Sequence, residues 1–338
     1  MRNLVVNIFN AWLGAWRGVR RVVWRLSVGV CVVSLWGCNA TKFVPQGEYL
    51  LNKAQVKVED SKDVATSELS NYLQQKQNTE ILGFLKLQLG IYNTASLDTT
   101  KWTSKNARKI GEPPVVFSPE LTDRSITQLQ KAMHNRGFFS AVVDTTMKVK
   151  DRKVNLTYNI RAGLPYIIRR YDVQFQQEEL KQIATDSRNT LIQEGMQYNV
   201  DVLNRERQRI ASAMRRNGCF YFDAELIRFV ADSTRGKQQV DLAICLQDYV
   251  DQLSPELKAQ IFRHYTISRV CFHMDYELGR APKGQIIQIS AQDGYEFTWV
   301  GSQLLREDVL IRNCPIRPGE RYSDFRVDRA YSNLNQLA

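Results

Sequence analysis

Two stretches of the chain alternate strictly between apolar and polar positions. Val154, Leu156, Tyr158 and Ile160 form one apolar row, and Val240, Leu242, Ile244 and Leu246 form the other. A second apolar-rich run precedes each row across a polar turn: AVVDTTMKVK before the turn at Asp151 and Arg152, and ELIRFV before DSTRGK. A period of two predicts strands with one buried and one solvated face, so each pair reads as a β-hairpin. Upstream of each hairpin the period changes to that of a helix. SITQLQKAMHNR spaces Ile126, Leu129 and Met133 along one stripe, and VLNRERQRIASAMRRN does the same with Leu203, Ile210 and Met214.

Both helices stop at a glycine, Gly137 and Gly218, where the chain is expected to turn through the left-handed region that penalises a Cβ. Aromatics follow at Phe138 and Phe139, and at Phe220 and Phe222. They are expected to fold back onto the apolar helix face, so that Gly137, Phe138, Phe139, Gly218 and Phe220 cap the helices and complete the cores. The local sequences AMHNRGFFSA and AMRRNGCFYFDA thus repeat the same device 81 positions apart.

Each copy opens with a strand, QVKVED at 55–60 and YIIRRYDVQF at 166–175, followed by a first helix, ATSELSNYLQQ or EELKQIATDSRNTLIQEG. The order strand, helix, helix, strand, strand occurs twice, and a unit this small is expected to stack on its neighbours. A third copy begins with HYTISRVCFHMDY, and RPGERYSDFRVDRAYSNLNQLA parallels EGMQYNVDVLNRERQRIASA with Tyr322 in the place of Tyr198. Val327, Tyr331 and Leu334 fall on one face of its last helix. Gly218 follows Tyr198 by 20 residues, which puts the matching glycine near 342, beyond Ala338. The natural chain is therefore expected to continue, or this one to be truncated. The predicted class is α+β, with a leader at 1–37, a tether at 38–49, a first domain at 50–163 with an insert at about 78–116, a second at 164–250 and a third, incomplete, at 264–338. Within the insert, ILGFLKLQLGI carries too many apolar residues for one exposed face, so burial in the first domain is expected.

Composition narrows the partners. The 338 residues are 43% apolar and 24% charged, as in ordinary globular proteins. The formal charge of +11 draws partly on Arg2, Arg17, Arg20, Arg21 and Arg25; without them 46 − 5 = 41 basic residues face 35 acidic ones. Basic runs interleaved with aromatics are absent, so no nucleic-acid partner is expected. The apolar run LSVGVCVVSLWG would span about 18 Å as a helix, short of a bilayer, and reads as the core of a signal peptide. Its end, Leu35-Trp36-Gly37-Cys38, resembles a bacterial lipobox. That resemblance implies cleavage between Gly37 and Cys38, acylation of the Cys38 thiol and a membrane tether, and Asn39 is compatible with outer-membrane sorting.

Candidate chemistry is sparse. Cys219, Cys245, Cys271 and Cys314 could pair in three ways and show no CxxC spacing, so neither a metal nor a cofactor is expected. Alternation puts Cys245 on the face opposite Val240 and Leu242. His134, His264 and His273 are the only histidines, HExxH, GxSxG and GxxxxGK are missing, and the charged residues on helix faces read as solvated surface. The chain reads as non-enzymatic.

The repeated β-α-α-β-β unit with its glycine–aromatic resembles the POTRA domain of the BamA and TamA outer-membrane assembly factors. TKFVPQGEYLLNK, NTEILGFLKLQLGIYN and IGEPPV are similar to the lipid-anchored TamA-like branch. The resemblance implies tandem POTRA domains at the periplasmic face of the outer membrane. It implies unfolded outer-membrane proteins and barrel-assembly or periplasm-spanning subunits as partners, and a C-terminal barrel beyond Ala338. It further implies that the strands after each glycine–aromatic, Val142 to Val149 and Leu226 to Ala231, are edges to which a substrate strand adds. The competing reading is a POTRA-containing structural lipoprotein, adaptor or cell-division scaffold without a barrel, or a pseudogene fragment.

Overall fold

The computed structural model describes residues 40–337 except 62–63, 83–84, 97–99, 235, 275–285, 293 and 301–304. The expected leader, with Gly37 and Cys38, lies outside the described residues. Among them no helix is long and apolar enough to cross a membrane. The chain divides into two compact units, one comprising 1–134 and 140–163, the other 135–139 and 164–338.

In the first unit β1 (Leu50–Val58) pairs parallel with β3 (Lys153–Arg161), which pairs antiparallel with β2 (Val142–Lys150), giving the order β1-β3-β2. Val154, Leu156, Tyr158 and Ile160 are buried, as the alternation requires. The β2–β3 turn carries positive φ at both Asp151 and Arg152, the requirement of a two-residue turn whose twist matches the strands. The helices run α1 (Thr66–Leu69), α2 (Leu87–Thr94), α3 (Trp102–Ile110) and α4 (Pro119–Asn135). α4 buries Thr122, Ser125, Leu129, Ala132 and Met133 along the predicted stripe, with Ile126 at its margin. The expected first helix shrinks to α1 and a 3-10 turn, Ser70–Tyr72, because the polar run 74–79 is drawn off into side-chain contacts. Ser125 Oγ accepts from the Gln74 amide at 3.0 Å, and Asn78 Nδ2 donates to the Pro113 carbonyl at 2.7 Å.

The insert departs from the expected burial. Leu89 packs with Val44 and Leu50, but Ile81, Leu82 and Leu87 are exposed, and Phe84 lies outside the described residues. The physical reason is that α2 and α3 are spent on gripping the tether rather than filling the main core. Lys42 Nζ donates to the Asn93 and Ala95 carbonyls at 3.0 and 2.7 Å, and the Phe43 ring meets Tyr92 edge-on at 5.4 Å. Arg152 closes the clasp from the β-turn, donating to Val44 and Pro45 carbonyls. From Lys42 onward the tether is packed against the domain.

In the second unit β4 (Ile167–Val173), β5 (Ile227–Asp232) and β6 (Gln239–Leu246) repeat the order first-third-second as β4-β6-β5. Helices α5 (Glu178–Thr185) and α6 (Val200–Arg216) cover it. Ile210, Met214, Phe222, Ile227 and Ile244 share one core with Leu180 and Ala184, while Leu203, Val240 and Leu242 join a smaller one with Ile168. Cys245 lies on the opposite face, where Arg228 Nε donates to its sulfur at 3.2 Å. Two short helices follow, α7 (Asp248–Gln252) and α8 (Pro255–Phe262).

The third sheet has the same spatial order, β7-β9-β8, with a different chain order. Among the described residues, β7 (Val270–His273) is followed next by the hairpin β8 (Ile286–Gln292) and β9 (Tyr295–Val300), and then by α9 (Glu307–Asn313) and α10 (Asp324–Leu334). The alternating run Tyr295-Phe297-Trp299 supplies the apolar row that the sequence reading assigned to strands after the helices. On α10, Ala330 is buried and Val327 and Leu334 are partly so, whereas Tyr331 is 68% exposed and does not belong to the expected face.

Candidate functional site

In each sheet the edge on the side of the first strand is partly closed by a neighbouring segment. Beside β1, the Leu51 amide donates to the Val115 carbonyl and the Phe117 amide to the Tyr49 carbonyl, both at 2.8 Å, and Gln77 Oε1 accepts from the Ala54 amide at 2.9 Å. Beside β4, Ile168 exchanges bonds with Met196 and Gly195, at 2.8 Å each. Leading into β7, the Ile267 amide donates to the Glu320 carbonyl at 2.9 Å, and Gly319 returns the bond at 2.7 Å. In the first two sheets the segment just before the longer helix lies against the leading part of the first strand, and in the third it lies against residues 265–267, ahead of β7.

The strand after the glycine–aromatic has no such cover in the first unit. No hydrogen bond from the outer backbone of β2 to another element is present among the described residues. Val142 and Val149 both lie on this edge strand. Register pairs Met147 with Leu156 and Val149 with Val154, so these two side chains lie on the same face as the buried row. They are 52% and 49% exposed, which makes a short apolar ledge beside an open backbone. β5 is also an edge strand, with Val230 and Ala231 exposed, though Arg207 donates to the Ile227 carbonyl at 3.2 Å. Leu226 is not on the strand as expected. It is buried in the 3-10 turn Ala224–Leu226 that Asp223 caps from its side chain.

The glycine–aromatic serves a joint. After α6 the Cys219 amide donates to Met214 and the Gly218 amide to Arg215, both at 3.1 Å, the double bond pattern of a glycine-terminated helix, with Gly218 at φ +107°. The next residue, Cys219 or Phe138, enters the core. The one after it turns outward, correcting the expectation that Phe139 and Phe220 are core residues. Phe220, 47% exposed, sets its ring 4.9 Å from Tyr322 and 6.3 Å from Tyr265. The Tyr265 amide donates to Gly218 at 2.9 Å and the Tyr322 amide to Tyr265 at 2.8 Å. The same unit repeats the arrangement with Phe139 against Tyr166 and Tyr198 at 4.8 and 5.2 Å. There the Tyr166 amide donates to Gly137 and the Tyr198 amide to Tyr166, at 2.8 and 2.9 Å. A Cβ on Gly137 would stand 2.6 Å from the Tyr198 carbonyl oxygen. Arg215 and Ser212 also hold Asp324, each at 3.2 Å, so helix α6 is tied to the start of α10.

One buried carboxylate and one cluster of polar side chains were illegible in the sequence. Glu206, read as solvated, is fully buried: Arg209 binds it bidentately at 2.8 Å, and Thr190 Oγ1 and the Leu191 amide donate to it at 3.0 Å. Burial, with the Glu206 charge adding, pushes the Tyr171 phenol up. Glu179, Cys219 and His264 converge although 40 and 45 residues separate them in sequence. Burial pushes the Cys219 thiol up to about 11, with Glu179 adding and Arg321 opposing, so at neutral pH it is a poor nucleophile.

Comparison with known proteins centres on the first unit. Residues 54–163 match the family model described as POTRA, surface antigen variable number repeat. No curated protein matches the sequence. Among solved structures, BamA POTRA3-5 of Haemophilus influenzae is 12% identical, with TM-score 0.38, covering 88% of this chain and 89% of that one. The N-terminal domain of Omp85 from the thermophilic cyanobacterium Thermosynechococcus elongatus is 14% identical, with TM-score 0.27, covering 87% of each chain. CdiB from Escherichia coli is 5% identical, with TM-score 0.24, covering 61% of this chain and 28% of that one. The matched span runs from within β1 through the β2–β3 hairpin, so the likeness to the POTRA family model lies in the first unit.

Proposed function

We propose that this chain is the periplasmic, polypeptide-binding part of an outer-membrane protein assembly factor of the BamA/TamA kind, anchored by lipid at Cys38 and passing unfolded outer-membrane proteins toward a membrane barrel. The observation that carries the reading is the open β2 edge with its apolar ledge. Nine residues of extended strand reach about 30 Å, matching the length of one strand of a membrane barrel. Backbone pairing tolerates many sequences, while Met147 and Val149 favour partners with apolar residues at alternate positions. Barrel strands have that pattern. Lys148 and Lys150 on the other face, and the Asp144–Arg161 pair at 2.7 Å, discourage self-pairing. No chemistry on the substrate is needed, in keeping with a non-enzymatic role.

A photo-crosslinker at Lys148 of β2 or Val230 of β5 is expected to capture a nascent barrel protein in cells, whereas one at Asn155 of the central strand β3 is not. Equal capture from all three positions would defeat strand addition. Cys38→Ala is expected to abolish acylation, read as a loss of mass, and an unchanged mass would remove the lipid anchor from the proposal.

A further inference from the structure

We propose that Glu179, Cys219 and His264 form a binding site for a divalent transition metal, with Zn2+ the ion best suited to the donors. Their ligand atoms all lie within 4.8 Å of one another, and they come from three places: the first turn of α5, the residue after Gly218, and the link between α8 and β7. A thiolate, an imidazole and a carboxylate form a mixed donor set of the kind zinc takes with three protein ligands and one open position.

The imidazole is held for this task. A carbonyl only accepts, so His264 Nδ1 carries the proton it shares with the Asn217 carbonyl at 2.6 Å. Nε2 is left facing Glu179 Oε2 at 3.0 Å. Metal-bound histidines are oriented in this way, by a hydrogen bond from the ring nitrogen that does not bind the ion. Gly218 leaves room for the ring, since a Cβ there would approach Nδ1 to 3.3 Å. Two donors on one tetrahedral zinc stand about 3.3 to 3.6 Å apart, given bond lengths near 2.0 Å to N or O and 2.3 Å to S. The nitrogen and carboxylate oxygen are already near that separation. Glu179 and His264, both partly exposed, can close on the buried sulfur.

Coordination releases the thiol proton, because a metal-bound thiol is deprotonated outright. Zn2+ with one thiolate and one carboxylate is then neutral overall, which suits a site with a buried floor. The bound ion would fasten the lead-in of the third sheet to the first helix and the helix terminus of the second.

The test uses the full chain as purified, with Zn2+ and Co2+ as probes. One equivalent of Co2+ is expected to give a thiolate charge-transfer band in the near ultraviolet, which Zn2+ then removes. Cys219→Ser should lose the band, and Cys271→Ser, altering the exposed thiol of β7, should keep it. Because a core substitution at 219 can disturb folding, Glu179→Gln and His264→Gln supply the second measurement, each expected to weaken Zn2+ at least tenfold with an unchanged circular dichroism spectrum. No uptake by the unaltered protein, a band that survives Cys219→Ser, or Zn2+ affinity unmoved in both polar variants would overturn the site.

Discussion

The amide of Tyr265 donates to the carbonyl of Gly218 at 2.9 Å, so the residue that ends the long helix of one sheet's cover also starts the next sheet. Gly137 and Tyr166 repeat the bond at 2.8 Å. The glycine is required twice over, for its positive φ and for the close approach that the bond demands.

Alanine should therefore cost more at 137 than at 218. Either change places a Cβ at positive φ, worth about 1–2 kcal/mol. At Gly137 the Cβ also meets a backbone oxygen at 2.6 Å, while at Gly218 it meets a histidine ring at 3.3 Å that can turn aside. Denaturant midpoints should fall in the order Gly137→Ala below Gly218→Ala, and amide exchange at Tyr166 should rise in the first variant alone.

Glu206→Gln should destabilise the second unit by about 3–5 kcal/mol, the usual effect of removing one partner from a buried ion pair. The carboxylate is fully buried and Arg209 only 18% exposed, so water screens the orphaned guanidinium little. Adding Arg209→Met should recover part of the loss in urea denaturation. A fall in two equal, additive steps would show that the two side chains do not act as a pair.

Asp60 should contribute to acid sensitivity of the first unit. The Gly163 and Ala162 amides, in that order, hold its carboxyl below the ordinary value of 3.8. The unfolded chain then binds the proton first, so this stabilisation is complete above about 3.8 and disappears as the pH falls through the lower folded value. Asp60→Asn should flatten the acid limb of a midpoint-against-pH curve and leave the neutral limb lower than in the parent.

Cys271 should be the first described thiol to react with maleimide, since it is exposed whereas Cys219 and Cys314 are buried; desolvation and Glu296 push the Cys271 thiol up as well, so access sets the order. All four cysteines of the described units are free, so dithiothreitol should leave the thermal midpoint unchanged. Peptide mass mapping reads the order of labelling, and thermal melts with and without dithiothreitol read the midpoint.

Charging the ledge should separate binding from stability. Met147→Lys with Val149→Lys alters side chains about half exposed, so midpoints should shift little, within about 0.5 kcal/mol for each site. Capture of nascent barrel proteins should drop severalfold in crosslinking yield. Undiminished capture would mean that β2 binds through backbone alone or does not bind.

What could be read in the chain followed the range of the forces. The hairpins, the long helices and the terminating glycines are encoded within a turn or two of sequence, and Val154 to Ile160 and Leu203 to Met214 show them plainly. Phe220 misled because an aromatic after a glycine is equally suited to its own core and to a neighbour's tyrosines. Glu206 looks like any polar helix residue until Thr190 and Leu191 fold over it. The Glu179, Cys219 and His264 cluster leaves no local trace at all. The insert deceived by composition: Leu82 and Leu87 are apolar but face outward, while α2 and α3 hold the tether. In the third sheet, a strand-like run at 295–300 took a place expected to be filled from after the helices.

The partly sealed first strand in each of the first two sheets has a consequence for assembly between molecules. Two copies can meet open edge to open edge, but that contact uses the same surface on both and closes as a pair. Growth into a fibre needs an open edge on one molecule to find an equally free edge on the next. Where residues 115–117 and 195–198 lie against the leading part of β1 and β4, that edge is obstructed, so growth through the first strands is blocked. The first strands of the first two sheets are thus withheld from strand pairing between molecules, while β2 stays open to it.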